Sequence, residues 1–484
     1  MIPSQAGWAG ERPIMEKHAQ RWDVIVVGAR CAGATLAAHL ARAGAKTLVL
    51  EAAPRGTDMP MSTHYIQPPG IAALDRLGIG ERVRAGAPAT QRFRVALDEF
   101  AVVARNPSEQ PGYCIRRSTV DPLLQEVAES SGAELRDRCR VTDLVRDGDR
   151  VVGVVARTAT HSETLYAHLV VGADGPHSTV AKLTNAEEYC VEDGSRAGYW
   201  AYYPAPARWT EDWDATIEHR GDSLRYVFRA DGDLVVLVAV TPGDEARSWG
   251  SQYREKLHQK LLDSPTTARL AEGKSPVGNP IGLLKTRFFY RRPIGPGYAL
   301  VGDAGHFKDF VTGQGMTDAL LDAERLAKAV LDGRPAAFEH YWRERDVATM
   351  PLHFDAVRQG RVGYNSAFNR WVFKNLGERP DLLDGFRHVA ARAIEPSELI
   401  PMRVMLGWMG SALLRGRFDV LRGFLATGKE LSPEKKELAM RRELLAAAQA
   451  ALGNTEQKTT STATPALQLD AGPASPRPSV APTV

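Results

Sequence analysis

The sequence predicts an α/β protein, in which a parallel sheet carries glycine loops at its strand ends and a second, antiparallel sheet is inserted between those loops. Three observations support this fold class. A β-branched run at 23–27 ends in Gly28 and leads into a helix of small residues. Two more apolar strands end in glycine–acid loops at 172–175 and 302–305. Between these loops, aromatic and β-branched runs at 197–240 read as antiparallel strands joined by an Asp-Gly-Asp turn.

The first glycine loop has the spacing of a nucleotide-binding unit. Gly28 permits a tight turn after the strand, and Gly33 lets the following helix pack closely on it. Glu51 ends the next strand about 20 residues on, where an acid takes a ribose hydroxyl. The start of the helix, with Cys31 and Ala32, offers free N–H groups and a positive dipole end to a pyrophosphate.

Arg30 departs from this pattern, because it occupies the place of the middle glycine. That glycine normally lets the backbone approach the pyrophosphate. The Arg30 side chain either points away from the loop or lies with its guanidinium along the phosphates. At this point a strand and helix packed together without any ligand remains an alternative, which the rest of the chain has to decide.

The composition is that of a globular protein with a large core, since 44% of the 484 residues are hydrophobic and 25% are charged. A formal net charge of +3 argues against a nucleic-acid partner. The four cysteines show no C-x-x-C spacing, which favours a reducing compartment, so we expect a cytoplasmic protein and no metal site. No apolar run approaches the ~20 residues that span a bilayer.

Six segments are expected along the chain. They are an N-terminal extension at 1–20, a nucleotide-binding domain in two parts at 21–190 and 286–347, the inserted sheet at 191–285, a helical region at 348–453 and a disordered tail at 454–484. The tail is rich in Thr, Ser, Ala and Pro and has few large apolar residues to bury. Ser432-Pro433-Glu434 is predicted to open the last helix as N-cap and first turn, and Gly453 to end it.

Local signals place further elements around the glycine loops. A helix is expected to start at Arg116-Arg117, to run to about Ser130 and to end at Gly132. Asp147-Gly148-Asp149 lies between two β-branched runs and predicts a hairpin. Another helix, at 317–331, follows a glycine loop at 312–315.

The stretch 301–315 carries a resemblance to a known family. It reads Val-Gly-Asp-Ala-Gly-His-Phe-Lys-Asp-Phe-Val-Thr-Gly-Gln-Gly and resembles the flavin-ribityl motif of FAD-dependent monooxygenases of the para-hydroxybenzoate hydroxylase type. The usual motif continues Asp-Pro-x-x-Gly-Gln-Gly, so Phe310 stands where proline is common. The three glycine loops also occur in this family's order, over 22–347. Flavin halogenases and geranylgeranyl reductases are related to the same family.

The resemblance implies a glutathione-reductase-like FAD-binding Rossmann fold with an inserted antiparallel substrate sheet and a helical C-terminus. FAD would be the cofactor and NAD(P)H the co-substrate. Asp303 would hold the ribitol chain, and Arg117 would be the family arginine, with Arg116 as the competing register. The full set of implied cofactor-binding residues is Gly28, Arg30, Cys31, Ala32, Gly33, Glu51, Arg117, Asp174, Asp303, Gly313, Gly315 and Met316.

Substrate would lie between the flavin and the inserted sheet, against Tyr202, Tyr226 and Phe228. These aromatics can equally be sheet core, because strand alternation buries half of such residues on the other face. The candidates for proton transfer are His64, His306 and Lys308. His64 reads more simply as part of a packed loop than as a flavin contact, and support of the loop is the preferred interpretation of His306 and Lys308.

The leading functional hypothesis is a monooxygenase. It would use NAD(P)H and O2 to hydroxylate or epoxidise a small aromatic or lipophilic substrate in secondary metabolism, as a monomer or homodimer. A flavin halogenase is an alternative, although Trp209 and Trp213 are not part of a Trp-x-Trp-x-Ile-Pro signature. A reductase of prenyl-type double bonds and a flavin-binding protein without turnover are the remaining alternatives.

Overall fold

A computed structural model describes residues 21–59, 61–105 and 111–459. The expected N-terminal extension and most of the expected tail lie outside these residues. Within the described part, no helix is both long and apolar enough to cross a membrane.

The first sheet is parallel at its centre and has eight strands. Its main path is Ile294–Gly295, Tyr298–Leu300, Ser162–Gly172, Arg21–Val27, Thr47–Leu50 and Glu134–Arg136, and the hairpin Arg140–Asp147 with Arg150–Arg157 pairs onto Ser162–Gly172. The predicted turn at 147–149 is therefore confirmed, with Gly148 at a φ of +56°. The strands before the three predicted glycine loops lie side by side in this sheet, so their carboxyl ends meet at one edge.

The second sheet has ten strands. Seven run in the order Val277–Leu283, Arg196–Pro204, Leu234–Pro242, Ser223–Ala230, Ala215–Arg220, Arg92–Leu97 and Phe100–Arg105, and Gly112–Cys114 connects them to Tyr65–Ile66 and Ala89–Thr90. A smaller third sheet comprises Glu188–Asp193, Arg287–Arg291 and His306–Phe307.

The predicted bounds of the inserted sheet, 191–285, are too narrow. Five of its strands come from residues 65–114, and 93–97 pair in parallel with 215–219. The partner of this pairing lies more than 100 residues away along the chain. Long-range pairing of this kind leaves no local pattern beyond short strands, which is why the prediction missed it.

Fourteen helices are present among the described residues: Cys31–Arg42, Pro68–Leu77, Gly80–Gly86, Arg117–Ser130, Thr179–Leu183, Gly243–Ser248, Tyr253–Leu262, Pro265–Ala271, Gly315–Asp332, Pro335–Gly360, Ala367–Gly377, Pro380–Ala390, Met402–Leu414 and Phe418–Thr459. Short 3-10 turns lie at Gly250–Gln252, Gly302–Ala304, Phe310–Thr312 and Pro396–Glu398. The helix predicted to run from 116 or 117 to 130 is confirmed, and Gly132 follows it with a φ of +104°.

The last helix differs from the prediction at both ends. It runs without interruption from Phe418 to Thr459, with Pro433 inside it, so Ser432 does not cap a new helix and Gly453 does not end one. A proline inside a helix costs about 3 kcal/mol. Tertiary contacts on both sides of Pro433, including full burial of Val420, offset that cost.

A buried ionic network attaches this last helix to the rest of the chain. The Asp346 carboxylate has no exposed surface and accepts hydrogen bonds from the Tyr189 hydroxyl at 2.8 Å and from Arg345 Nη2 at 2.7 Å. Arg441 of the last helix donates to the same carboxylate at 3.1 Å. One carboxylate thus joins the third sheet, the helix Pro335–Gly360 and the helix Phe418–Thr459.

We predict that Arg441→Ala lowers the free energy of unfolding by about 1–3 kcal/mol, because a buried carboxylate loses a charged partner. Arg442→Ala is the matched control, since Arg442 pairs with Glu395 and its side chain is 50% exposed. That exposed pair should contribute less than about 1 kcal/mol. Equal melting temperatures for the two variants, measured by calorimetry, would contradict the assignment.

Candidate active site

The first glycine loop is held by backbone contacts too close for any side chain. A Cβ atom on Gly28 would lie 2.5 Å from the Ala173 carbonyl oxygen, and a Cβ on Gly33 would lie 1.9 Å from the Gly28 carbonyl oxygen. Gly28 also has a φ of +101°, which favours glycine. The packing roles predicted for both glycines are confirmed.

Glu51 fastens this loop to the end of the second strand. Its Oε2 accepts a hydrogen bond from the Ala29 N–H and its Oε1 from the Ala53 N–H, each at 2.9 Å. On the other side, Gln125 Nε2 donates to the Ala29 carbonyl at 3.0 Å. Each carboxylate oxygen can accept a second hydrogen bond, so Glu51 stays able to bind a hydroxyl.

Arg30 lines a cleft of about 220 Å³ beside this loop. The cleft is also lined by Glu51, Ala53, Pro54, Gly56, Thr57, Asp121 and Gln125. Arg30 Nη1, Gln125 Oε1 and Asp121 Oδ2 are buried there with no hydrogen-bond partner among the described residues. Buried polar atoms of this kind normally have partners, so the cleft fits a polar ligand.

Arg117 and Arg116 point to different parts of the molecule. Arg117 Nε donates to Asp121 Oδ1 at 2.8 Å, next to the Cys31 thiol, and Asp121 in turn lines the nucleotide cleft. Arg116 instead pairs with Asp231 of the second sheet at 3.2 Å. The structure therefore favours Arg117 over Arg116 as the residue on the cofactor side. Burial raises the pKa of the Cys31 thiol to about 12, so it is a neutral hydrogen-bond donor.

Asp303 follows its strand in a tight turn against the first helix. Gly302 has a φ of +60°, and a Cβ there would lie 2.8 Å from the Ala32 Cβ. Burial raises the pKa of Asp303 to about 6, although the positive charges of His306 and Arg117 oppose the shift. Asp303 accepts no hydrogen bond from the described residues, so its carboxylate stays available to hydroxyl groups.

The segment after Asp303 ends at the N-terminus of the helix Gly315–Asp332. Asp309 Oδ1 accepts from the Val311 N–H at 3.0 Å, and Gly313 turns the chain with a φ of +60°. No atom lies within 4 Å of a Cβ built on Gly315, so this helix start faces open space. Met316 follows, with its sulfur 3.8 Å from the Ser62 hydroxyl.

His306 and Lys308 both belong to a buried charge cluster behind this segment. His306 Nε2 lies 2.7 Å from Asp322 Oδ2, and Lys308 Nζ lies 2.5 Å from Asp318 Oδ2. Arg392 of the C-terminal region also pairs with Asp318. These contacts tie the loop to the helix Gly315–Asp332, as expected for support of the loop, and proton transfer through His306 or Lys308 stays a prediction.

His64 lies at the junction of the two large sheets. It is fully buried with a φ of +56°, and its Nε2 is 2.7 Å from the hydroxyl of Tyr202. The two rings stack with centroids 5.6 Å apart. Because Tyr202 belongs to the second sheet and His64 to a loop beside Gly313, this pair bridges the predicted substrate and cofactor regions.

The second sheet has two faces with different partners. Tyr202, Tyr226 and Phe228 share the face that packs against Phe310 and Val311, called here the inner face. The outer face, with residues such as Tyr199, packs under the helices between 243 and 271. All three predicted substrate residues are therefore on the inner face, although Tyr226 and Phe228 are almost completely buried in its packing.

The carboxylate of Asp174 is hydrogen-bonded within its own loop. Its carboxylate accepts hydrogen bonds from the Ser178 hydroxyl at 2.5 Å and from the Thr179 N–H at 2.6 Å. It therefore stabilises the turn into the short helix Thr179–Leu183. A contact of Asp174 with a cofactor stays a prediction.

These parts form one cradle along the strand ends of the first sheet. It begins at the cleft of Arg30 and Glu51, passes the free carboxylate of Asp303 and ends at the open helix start of Gly315. The cradle offers, in order, an acid for the ribose, a loop for the pyrophosphate, an acid for the ribityl chain and a helix dipole for the edge of the flavin ring. The parts of FAD follow one another in the same order. Fold and site together define a flavoprotein.

The family comparison agrees with this definition. Residues 21–350 match the family model described as FAD binding domain, and the chain belongs to that family. It is an FAD-dependent oxidoreductase. The resemblance stated from the sequence is thereby confirmed.

Two curated relatives are monooxygenases. The chain is 27% identical to 6-methylpretetramide 4-monooxygenase of Streptomyces rimosus over 358 residues, which is 70% of this chain and 80% of the relative. It is 26% identical to para-nitrophenol 4-monooxygenase of Pseudomonas sp. (strain WBC-3) over 331 residues, 64% and 77% of the two chains. Among solved structures, the flavin-dependent brominase Bmp2 superposes with a TM-score of 0.65 and 19% identity, covering 77% of this chain and 93% of the other, which shows a shared fold.

Several residues of the cradle have no place in the sequence prediction. Asp121 and Gln125 project from the helix Arg117–Ser130 into the cleft, and Arg392 reaches the start of the helix Gly315–Asp332 from the C-terminal region. Spacing along the helix could have paired Asp121 with Arg117, since they are four residues apart. Nothing in the sequence indicates that Arg392 contacts the helix Gly315–Asp332.

We predict that Arg30→Ala weakens FAD binding by about 1–3 kcal/mol, roughly 5- to 150-fold in Kd, because the cleft loses its charged donor. Arg82→Ala is the control, since Arg82 is an exposed arginine paired with Glu126. Titration of apoprotein with FAD, followed by flavin fluorescence, measures both. An unchanged Kd in Arg30→Ala would show that the guanidinium does not reach the cofactor.

We predict that Asp303→Asn loses FAD affinity by about 1.5–3 kcal/mol at pH 8, since hydrogen bonds to a charged acceptor are the stronger ones. The wild-type affinity should fall as the pH drops through about 6, where Asp303 takes up a proton. The asparagine variant should lack this part of the pH dependence. Identical pH profiles for the two proteins would disprove the assignment.

Proposed function

We propose that this protein is an FAD-dependent monooxygenase that uses NAD(P)H and O2 to hydroxylate or epoxidise a small aromatic or lipophilic substrate. Its relatives by sequence include two enzymes named as monooxygenases of aromatic compounds. The segment from Phe310 to Gly315 supports the proposal most directly, because it connects the predicted flavin position to the aromatic inner face.

The contacts of Phe310 carry this argument. Its ring packs edge-on against Trp200 at 5.0 Å and against Tyr226 at 6.5 Å between ring centroids. Val311, which follows, is almost completely buried against the same face. A substrate next to the flavin would therefore meet aromatic side chains and little water, which suits the transfer of oxygen.

FAD, when bound, would supply the redox chemistry and the reaction with oxygen. The protein's residues would position the substrate and shield the reaction from water. The buried inner face would exclude water, and the His64–Tyr202 pair would hold a proton between His64 Nε2 and the Tyr202 hydroxyl, 2.7 Å apart. Burial raises the pKa of Tyr202, so this hydroxyl keeps its proton at neutral pH.

The two tryptophans that lack the halogenase signature give the halogenase alternative no support in the structure either. Trp209 donates its indole N–H to the Trp213 carbonyl at 2.6 Å, and the two rings pack edge to face. Both residues lie in the connection between the strands Arg196–Pro204 and Ala215–Arg220, and they pack with the residues of the outer face.

The test begins with anaerobic mixing of the FAD-loaded protein with NADPH or NADH. We expect direct bleaching of the flavin absorbance by one of the two. Aerobic turnover with 6-hydroxy-2-naphthoate and 4-nitrophenol in ¹⁸O2 should then give a product with one heavy oxygen, detected by mass spectrometry.

Arg442→Ala is the control for this experiment, because its surface position should leave turnover unchanged. An enzyme that receives reduced flavin from another protein would show no direct bleaching by either nicotinamide. That result, or a product that contains bromine only when bromide is present, would contradict the proposal.

A further inference from the structure

The most exposed apolar side chains of the described residues belong to one stretch of the C-terminal helical region, 402–425. Six large hydrophobic residues in the described part of the chain are more than 50% exposed, and all six lie in this stretch. Single exposed apolar side chains are normal on a protein, whereas a group of them marks a surface that binds a partner. The six residues are Met402, Leu406, Leu413, Leu414, Phe418 and Leu425.

The first helix of this stretch, Met402–Leu414, has one exposed face and one buried face. The spacing of Met402, Leu406 and Leu413 places these three side chains along the exposed face. The opposite face packs into a hydrophobic cluster of the C-terminal region. The buried residues on that face are Trp408, Met409 and Ala412.

The next helix, which begins at Phe418, continues the exposed surface. Phe418, Arg422 and Leu425 are four and three residues apart, so they share one face of this helix. Val420 is fully buried in the same hydrophobic cluster that Trp408 of the preceding helix joins. Because both helices pack on one cluster, their exposed rows lie on the same side of the molecule.

The turn between the two helices is flanked by apolar side chains. Gly416 has a φ of +66°, and the Arg417 N–H donates to the Ala412 carbonyl at 2.9 Å. Leu414 comes just before this turn and is 90% exposed, and Phe418 comes just after it. The tip of the two-helix unit is therefore apolar.

Basic residues surround these apolar side chains. Arg417 pairs with the acid Asp419 at 2.7 Å, and the other basic residues of the stretch form no ion pair with the described part of the chain. Five basic residues against one acid give 402–429 a net charge of +4, which exceeds the +3 of the whole chain. We call this stretch the basic apolar surface. Its basic residues are Arg403, Arg415, Arg417, Arg422 and Lys429.

These charges argue against a second copy of the chain as the partner of this surface. Two copies that met through it would bring Arg403 and Arg422 against other basic residues. Asp419 could not compensate, because it is already paired with Arg417. Since like charges oppose association, the partner has to carry negative charge next to apolar groups.

We propose that the basic apolar surface binds the anionic face of a lipid bilayer. Amphipathic helices that lie on a bilayer place Leu and Phe side chains in the acyl boundary and Arg and Lys side chains among the headgroups. Leu414 and Phe418 at the tip would enter the boundary, and Arg403 and Arg422 beside the apolar rows would meet lipid phosphates. Both helices are fixed to the protein through their buried faces, so the contact is peripheral.

The test measures binding of the FAD-loaded full-length protein to vesicles by flotation. Vesicles of phosphatidylcholine alone are compared with vesicles of phosphatidylcholine and phosphatidylglycerol in equal amounts. We expect binding to the mixed vesicles to be at least about 20-fold tighter, because each basic residue near an anionic surface contributes about fivefold. High salt should reduce this preference, since it screens exposed charges.

Leu414→Ser combined with Phe418→Ser tests the apolar part of the surface. Both side chains are exposed, so the melting temperature and the FAD content should not change. Binding to the mixed vesicles should fall at least about tenfold, because neither side chain can leave water. Val277→Ser combined with Leu331→Ser is the matched control, since these apolar residues are 46% and 47% exposed and lie outside the surface.

Arg403→Gln combined with Arg422→Gln tests the basic part. The preference for the mixed vesicles should fall below about fivefold, because two charges are lost and the apolar side chains stay. Arg82→Gln combined with Arg254→Gln is the control. Arg82 is 50% exposed and pairs with Glu126, and Arg254 is an exposed partner of Asn279.

The proposal would be overturned if the wild-type protein bound neither kind of vesicle, because an acidic protein would then be the better partner. Equal binding to both kinds of vesicle would also overturn it, as would unchanged binding by either double variant of the surface. Analytical ultracentrifugation without lipid supplies the remaining comparison. A wild-type dimer that the Leu414→Ser and Phe418→Ser variant converts to a monomer would show that the surface joins two copies, against the proposal.

Discussion

The close approach of the first helix to the first strand is the constraint on which the cradle depends. The space beside Gly33 is filled by the carbonyl of Gly28, and the space beside Gly28 by the carbonyl of Ala173. Any side chain at these two positions would push apart the helix Cys31–Arg42, its strand and the loop at 172–175. The same closeness brings Ala32 against Gly302, and so places Asp303 in line with the first glycine loop.

The interior of the protein contains two kinds of buried polar group. Around Asp346 the charges are matched, since Arg345, Arg441 and Tyr189 all bond to one carboxylate. This network holds the C-terminal helices and leaves nothing for a ligand. Around Arg30, Asp121 and Gln125, polar atoms are buried without partners among the described residues. Because unpaired buried groups are costly, the second kind is typical of places where a ligand supplies the missing partners.

Because side chains alternate along its strands, the second sheet has two faces, and the two faces have different roles. The outer face packs under the helices between 243 and 271 and stabilises the insertion. The inner face packs against Phe310 and Val311, the segment that leads into the flavin-side helix. His64 adds a contact from the other side, through Tyr202. In the proposed function, this one short segment would connect the substrate side of the site to the cofactor side.

The sequence by itself determined the α/β class, the glycine turns, the positions of Glu51 and Asp303 after their strands, and the FAD-binding family. These depend on local backbone conformation and on spacing within short segments. It also indicated the correct hairpin and the helix Arg117–Ser130. Tertiary structure decided what depends on contacts between distant residues. The strands at 65–114 join the second sheet through a partner more than 100 residues away, and Pro433 stays inside a helix held by packing at both ends. Neighbours that no local pattern specifies also direct Arg116 to Asp231 and Arg117 to Asp121, and pair His306 and Lys308 with buried carboxylates. Burial and hydrogen bonding of this kind are properties of the folded chain.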